Sequence, residues 1–218
     1  MSVNMVRIFF TKSGRAIYTS HLDLTRAMSR ALCRSGLPVW YTEGFHPHLY
    51  MTFALPLSLG TTGLCESMEV KMLEDVPADE IVSRLNAAMP EGLRAVSAAA
   101  PVMQPKEIMW ADYRVYLRCR AEEGREAIEK FFALAEIPTE KRSKKGIKTV
   151  DIKPMMSLLS LEDAENGLLL DLRCRAGVEI NLNPTLALDA LAQFTGFRAD
   201  QVKIERYAVW TEKLEAFK

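Results

Sequence analysis

Apolar, β-prone residues run from Val6 to Phe10, and Ser13 with Gly14 supplies a turn signal that ends a first strand. Ser20 followed by Asp23 has the spacing of a capping box and predicts a helix starting near His21. Leu24, Met28, Ala31 and Leu32 then recur at helical spacing until Gly36 and Pro38 stop it. Val39 to Thr42 reads as a second strand, Gly44 to Pro47 as a turn, and Tyr50 to Leu59 as an extended, partly looped segment interrupted by Pro56. Glu66 to Leu73 alternates acidic and apolar residues, the pattern of a strand with one wet face. Ile81, Leu85 and Ala88 mark a second helix over Pro77 to Met89, and Leu93 to Ala99 supplies a closing strand.

Pro101 and Pro105 mark a boundary, after which the order recurs with different residues. Strand Tyr113 to Cys119 is followed by helix Glu122 to Ala135, strands at Lys148 to Ile152 and Leu168 to Arg175, helix Pro184 to Gly196 and strand Val202 to Val209. This order predicts an α+β chain of tandem ferredoxin-like (βαββαβ) halves, residues 1–103 and 109–218. Each half is expected to form an antiparallel sheet with both helices on one face.

The chain has 218 residues, enough for two small cores, and 49% of them are hydrophobic and 26% charged, as in ordinary globular proteins. Formal net charge is zero, so any attraction to a polyanion has to come from local patches. Cys33, Cys65, Cys119 and Cys174 lack CxxC spacing and read as reduced core residues. The chain opens on a strand-like run and carries no long uncharged apolar stretch, which predicts a cytoplasmic protein without membrane association.

Arg26, Arg30 and Arg34 recur every fourth residue and form one cationic stripe on the first helix, suited to a row of phosphates. Lys12 and Arg15 extend that patch, and the acidic stretch from Glu66 to Glu80 is a possible counter-charge. A second basic run, Lys141, Arg142, Lys144, Lys145 and Lys148, reads either as a sequence-independent RNA contact or as protection of a sheet edge. No aromatic pair of the kind used for base stacking is apparent on a central strand. His21, His46 and His48 are the only histidines; they read as local turn contacts, phosphate contacts, or an acid and base, and no ligand set for a metal accompanies them. Nucleotide-binding glycine loops, hydrolase elbows and calcium loops are absent from the sequence, and no cofactor is expected.

Tyr18-Thr19-Ser20-His21-Leu22-Asp23-Leu24, then Arg26, Arg30-Ala31, Gly36-Leu37-Pro38-Val39, Gly44-Phe45-His46-Pro47, Pro56-Leu57-Ser58-Leu59-Gly60 and Glu66 resemble the radical SAM-linked protein family. Thr149-Val150-Asp151-Ile152-Lys153-Pro154 is a further echo. The resemblance implies a radical SAM enzyme as partner. The chain itself has no CxxxCxxC cluster motif, so radical chemistry would belong to that partner. The expectation is a non-catalytic accessory or substrate-recognition protein that presents an RNA such as tRNA or rRNA. Two alternatives stand beside it. One is a metal-independent endoribonuclease using His21 or His46, by architectural resemblance to the CRISPR-associated RNA-processing endoribonucleases; the other is a protein–protein adaptor that ignores RNA.

Overall fold

The computed structural model describes residues 3–143, 146–178 and 180–218. The chain divides into two compact units, Met1–Glu107 with Phe217–Lys218, and Ile108–Ala216. The last two residues therefore belong to the first unit and not, as the sequence suggested, to the second.

The first unit contains β1 (Asn4–Lys12), α1 (His21–Arg34), β2 (Met51–Phe53), β3 (Thr61–Met72), α2 (Ala78–Ala88) and β4 (Leu93–Ala99). Its strands pair antiparallel in the order β4-β1-β3-β2. Ile8, Phe10, Met68, Val70 and Met72 leave one face of the sheet and meet Leu24, Met28 and Leu32 of α1 and Ile81 and Leu85 of α2 in a single core. Both helices thus cover the same face, each by a stripe at helical spacing.

The opposite face of β3 is not wet. Ser67 and Glu69 are buried on it, while Glu66, the register partner of Phe10, is buried on the core side. Glu69 pairs with the fully buried Arg7 of β1, whose guanidinium also donates to the carbonyls of Met103 and Lys218 and lies 4.3 Å from the Phe217 ring centroid. This set of contacts is what ties Phe217–Lys218 to the first unit. The segment Val39 to Thr42 makes no strand; Val39 and Tyr41 form single bridges to Met72 and Leu49, and the paired strand is β2 beyond them. The turn residues Pro38, Gly44 and Pro47 leave too short a regular run between them for a ladder to form.

The second unit contains β5 (Ile108–Arg118), α3 (Ala121–Phe132), β6 (Pro138–Ser143), β7 (Gly146–Asp151), β8 (Met156–Ala164), β9 (Gly167–Arg175), α4 (Pro184–Thr195) and β10 (Gln201–Thr211). Its sheet is antiparallel in the order β10-β5-β9-β8. The expected strand at Lys148 to Ile152 is β7, which lies outside this sheet and, among the described residues, pairs with β6 as a hairpin. Its place is taken by β8, whose mixed sequence around Ser157, Ser160, Glu162 and Asp163 hid it. Ala111, Tyr113, Val115 and Leu117 of β5, with Leu168, Leu170, Leu172 and Cys174 of β9, are buried on the face that the helices cover. Asn183 caps α4 by accepting from the Thr185 amide at 3.0 Å, and Gly196 ends it at φ +78°.

Candidate nucleic-acid interface

The local sequence of α1 presents three arginines together. Ser20 accepts from the Asp23 amide at 3.1 Å and its hydroxyl donates to the Asp23 carboxylate at 2.7 Å, so the box closes through the two side chains and not through the Ser20 amide. With Leu24, Met28, Ala31 and Leu32 buried, positions two residues further on face outward, and Arg26, Arg30 and Arg34 are all exposed. They are not equivalent. Arg26 lies 3.4 Å from Asp23 with 61% of its side chain exposed, a loose pair of the kind that contributes little. Arg34 donates from Nη2 to the carbonyl of Ala88. Arg30 makes no ion pair among the described residues.

Lys12 cannot extend this patch: it is 1% exposed, and its Nζ donates to the Thr19 carbonyl at 3.2 Å. Period-2 alternation along β1 puts it on the same face as the buried Ile8 and Phe10, so its position in the strand turns it inward. Arg15 is exposed on the short helical turn Gly14–Tyr18. Glu66 is buried and unavailable as a surface counter-charge.

The motif loop has a different character. Gly44 takes φ +123°, Phe45 is fully exposed at the tip, and His46, Pro47 and His48 are exposed beside it. His48 Nδ1 lies 3.0 Å from Thr42 Oγ1 and 3.2 Å from the His46 carbonyl, while the His48 amide donates to Thr42 Oγ1 at 3.1 Å. His21, by contrast, packs edge-on against Phe53, ring centroids 5.3 Å apart. No described contact joins His21 to His46, and no group of three or more His, Cys, Asp or Glu among the described residues is placed to hold a metal.

Cys33 corrects a sequence expectation, since it is exposed on α1 with its sulfur 3.1 Å from the Tyr41 hydroxyl. That contact, more than the slight burial around it, raises the Tyr41 phenol above its usual range. Cys174 is the buried one, and burial pushes its thiol up to about 12.

In the second basic run, Lys141 on β6 donates to the Asn181 carbonyl at 2.5 Å and Lys148 on β7 is exposed. Lys144 and Lys145, and the side chain of Arg142, lie outside the described residues.

Sequence reading missed a second charged surface, the face of the second unit's sheet turned away from its helices. Arg173 makes a bidentate pair with Asp112 at 2.7 and 2.8 Å, and Asp112 also accepts from Trp210 Nε1 at 2.7 Å. Arg114 pairs with Asp171 at 3.1 Å and Arg175 with Glu212 at 2.7 Å. Each guanidinium lies over a ring as well: Arg175 over Trp110 at 4.1 Å, Arg114 over Tyr207 at 5.2 Å and Arg173 over Trp210 at 5.6 Å. The carboxylates raise Arg114 and Arg173 further above their already high values. The signal was present as period-2 spacing of Trp110, Asp112, Arg114 and Tyr116, but a strand taken to start at Tyr113 cuts it in half.

A bacterial family model matches residues 5–184, covering the arginine helix, the histidine loop and most of the second unit. The chain belongs to this family, the uncharacterized proteins conserved in bacteria designated DUF2344. For this DUF2344 member no curated protein matches. Among solved structures, that of an unknown protein from Galdieria sulphuraria covers 94% of this chain and 99% of its own, at 14% identity and a TM-score of 0.28. So low a score carries nothing over to the DUF2344 chain. No helix among the described residues is long and apolar enough to cross a membrane.

Proposed function

We propose that this DUF2344 protein is a non-catalytic accessory or substrate-recognition protein that binds RNA on behalf of a radical SAM enzyme. The observation that carries the RNA reading is the exposed row Arg26, Arg30 and Arg34 on the outer face of α1, with Arg30 at its centre free of any ion pair among the described residues. Guanidinium groups spaced by one helical turn suit successive phosphates, which accept bidentate, charge-assisted hydrogen bonds. The radical SAM partner rests on the resemblance of the residues 18–66 motifs. The scaffold, in this reading, is a tandem ferredoxin-like repeat; the support is that β4-β1-β3-β2 and β10-β5-β9-β8 are the same order once the β6–β7 hairpin is treated as an insertion.

Co-purification tests the reading. The tagged protein is expected to bring down a radical SAM enzyme, identified by mass spectrometry, together with extractable RNA. Recovery of the enzyme without RNA favours an adaptor. Cleavage of labelled RNA that His21→Ala or His46→Ala abolishes favours the endoribonuclease.

A further inference from the structure

We infer that the helix-free sheet face of the second unit is a stacking platform for single-stranded RNA centred on Tyr116; the inference rests on the RNA-binding reading above. Three of the face's arginines are already neutralised by Asp112, Asp171 and Glu212, and Glu205 stands opposite Arg114 in the register. These arginines do not supply attraction. They hold the middle of the face as a rigid layer of guanidinium planes and rings. The unneutralised charge lies at one end, where Arg118 on β5 and Lys203 on β10 are exposed and make no ion pair among the described residues.

Tyr116 lies between them. Arg118 follows it by two positions on the same face of β5, and Lys203 is its cross-strand partner on β10, with Nζ 5.8 Å from the ring centroid. The Tyr116 hydroxyl donates to the Glu165 carbonyl at 2.6 Å, which fixes the ring on the sheet while leaving it half-exposed. A fixed aromatic ring beside two cations that make no ion pair among the described residues, Lys203 resting at its edge, complements a ligand with a flat π-face and adjacent negative charge, the chemistry of a nucleotide within a strand. A duplex fits poorly because its base faces are already stacked, so single-stranded RNA is the occupant proposed.

The test uses the full chain with a fluorescein-labelled uridine decamer and a duplex of matched length, each across a salt series. Tyr116→Ala is expected to weaken decamer binding roughly 5- to 150-fold while keeping the salt slope, as loss of one stacked base does. Tyr116→Phe is expected to bind nearly as the parent does, since the ring remains. Arg118→Ala with Lys203→Ala is expected to make the salt slope shallower. The far-ultraviolet spectrum and melting curve of each variant establish folding, and if Tyr116→Ala fails to fold, the Phe variant and the cation pair still decide. Parent-like binding by the Arg118→Ala/Lys203→Ala protein and by a folded Tyr116→Ala, with loss in an Arg26/Arg30/Arg34 triple alanine variant, overturns the platform and leaves the α1 reading intact. Equal or tighter binding of the duplex also overturns the platform. Absence of salt-sensitive binding by the parent to either RNA overturns the RNA reading itself.

Discussion

Arg34, at the end of α1, donates to the carbonyl of Ala88, at the end of α2, at 2.6 Å. Arg84 of α2 returns the arrangement by donating to the carbonyls of Ser35, at 3.0 Å, and Gly36 just beyond α1. Each helix thus supplies the cation that satisfies the orphan carbonyls at the other's C-terminus, where the helix dipole favours positive charge. One member of the arginine row is therefore partly structural, and the row separates by mutation.

Arg34→Ala is expected to cost about 0.3–1 kcal/mol of stability, the usual range for a cation at a helix C-terminus. Arg30→Ala, with no ion pair or hydrogen bond of its side chain to lose among the described residues, should stay within about 0.5 kcal/mol of the parent. Urea denaturation of the two variants checks the contrast. An equal and sizeable loss in both would show that Arg30 has a structural partner.

Arg173 and Asp112 behave as a buried pair, with side chains 20% and 3% exposed. Arg173→Ala leaves the Asp112 carboxylate in the fold with only Trp210, among the described residues, still donating to it from a side chain, and a loss on the order of 3 kcal/mol is expected. Arg114→Ala breaks a pair whose arginine is 47% exposed and should cost under about 1 kcal/mol. Denaturation midpoints at constant slope compare them directly.

The cysteines predict a reactivity order. Iodoacetamide at neutral to mildly basic pH should label exposed Cys33 in the native protein and leave buried Cys174 untouched until unfolding, read by peptide mass spectrometry. The sign for stability follows from the same burial. Cys174 is held at about 12 when folded against an ordinary thiol value of 9.0, so between those values the unfolded chain has lost a proton that the folded chain keeps. That group's contribution is fully present below pH 9 and declines as pH rises toward 12. Cys174→Ala should flatten this part of the stability profile.

Gly167 opens β9 where the sheet leaves no space for a side chain: a Cβ there would stand 1.9 Å from the Leu117 carbonyl oxygen of β5. Gly167→Ala must push β9 away from β5 in the middle of the second unit. A loss of at least about 2 kcal/mol is expected, the size seen when backbone geometry is incompatible with the new residue. A thermal melt checks it.

Much of the fold was legible where a single physical signal acts alone. The Ser20–Asp23 box and the Leu24, Met28, Ala31, Leu32 stripe give α1 its start and its inner face, and the structure has both. The signal failed where tertiary partners decide. Acidic Glu69 sits inside because Arg7, far away in sequence, pairs with it, and that guanidinium is in turn covered by Phe217, further still. Lys12 turns inward in step with Ile8 and Phe10, an alternation hidden when the first strand is taken to end at Phe10. β8 carries too many polar residues to read as a strand, so the basic hairpin strand β7 was taken in its place. The arginine row was legible because helical spacing alone puts it on one face; the Trp110–Tyr116 face needed the strand's true start and the strands beside it.

Salt-dependent RNA binding by the intact chain is the most direct test of the whole account. Filter binding to a single-stranded RNA from about 50 to about 200 mM salt should give a falling log-affinity line, each phosphate neutralised contributing a slope near −0.7. Replacing Arg26, Arg30 and Arg34 by alanine should make that line shallower by about 2, because three phosphates then keep their counterions. A parent line that is flat, or one that the triple replacement leaves unchanged, would contradict α1 as a phosphate-binding face.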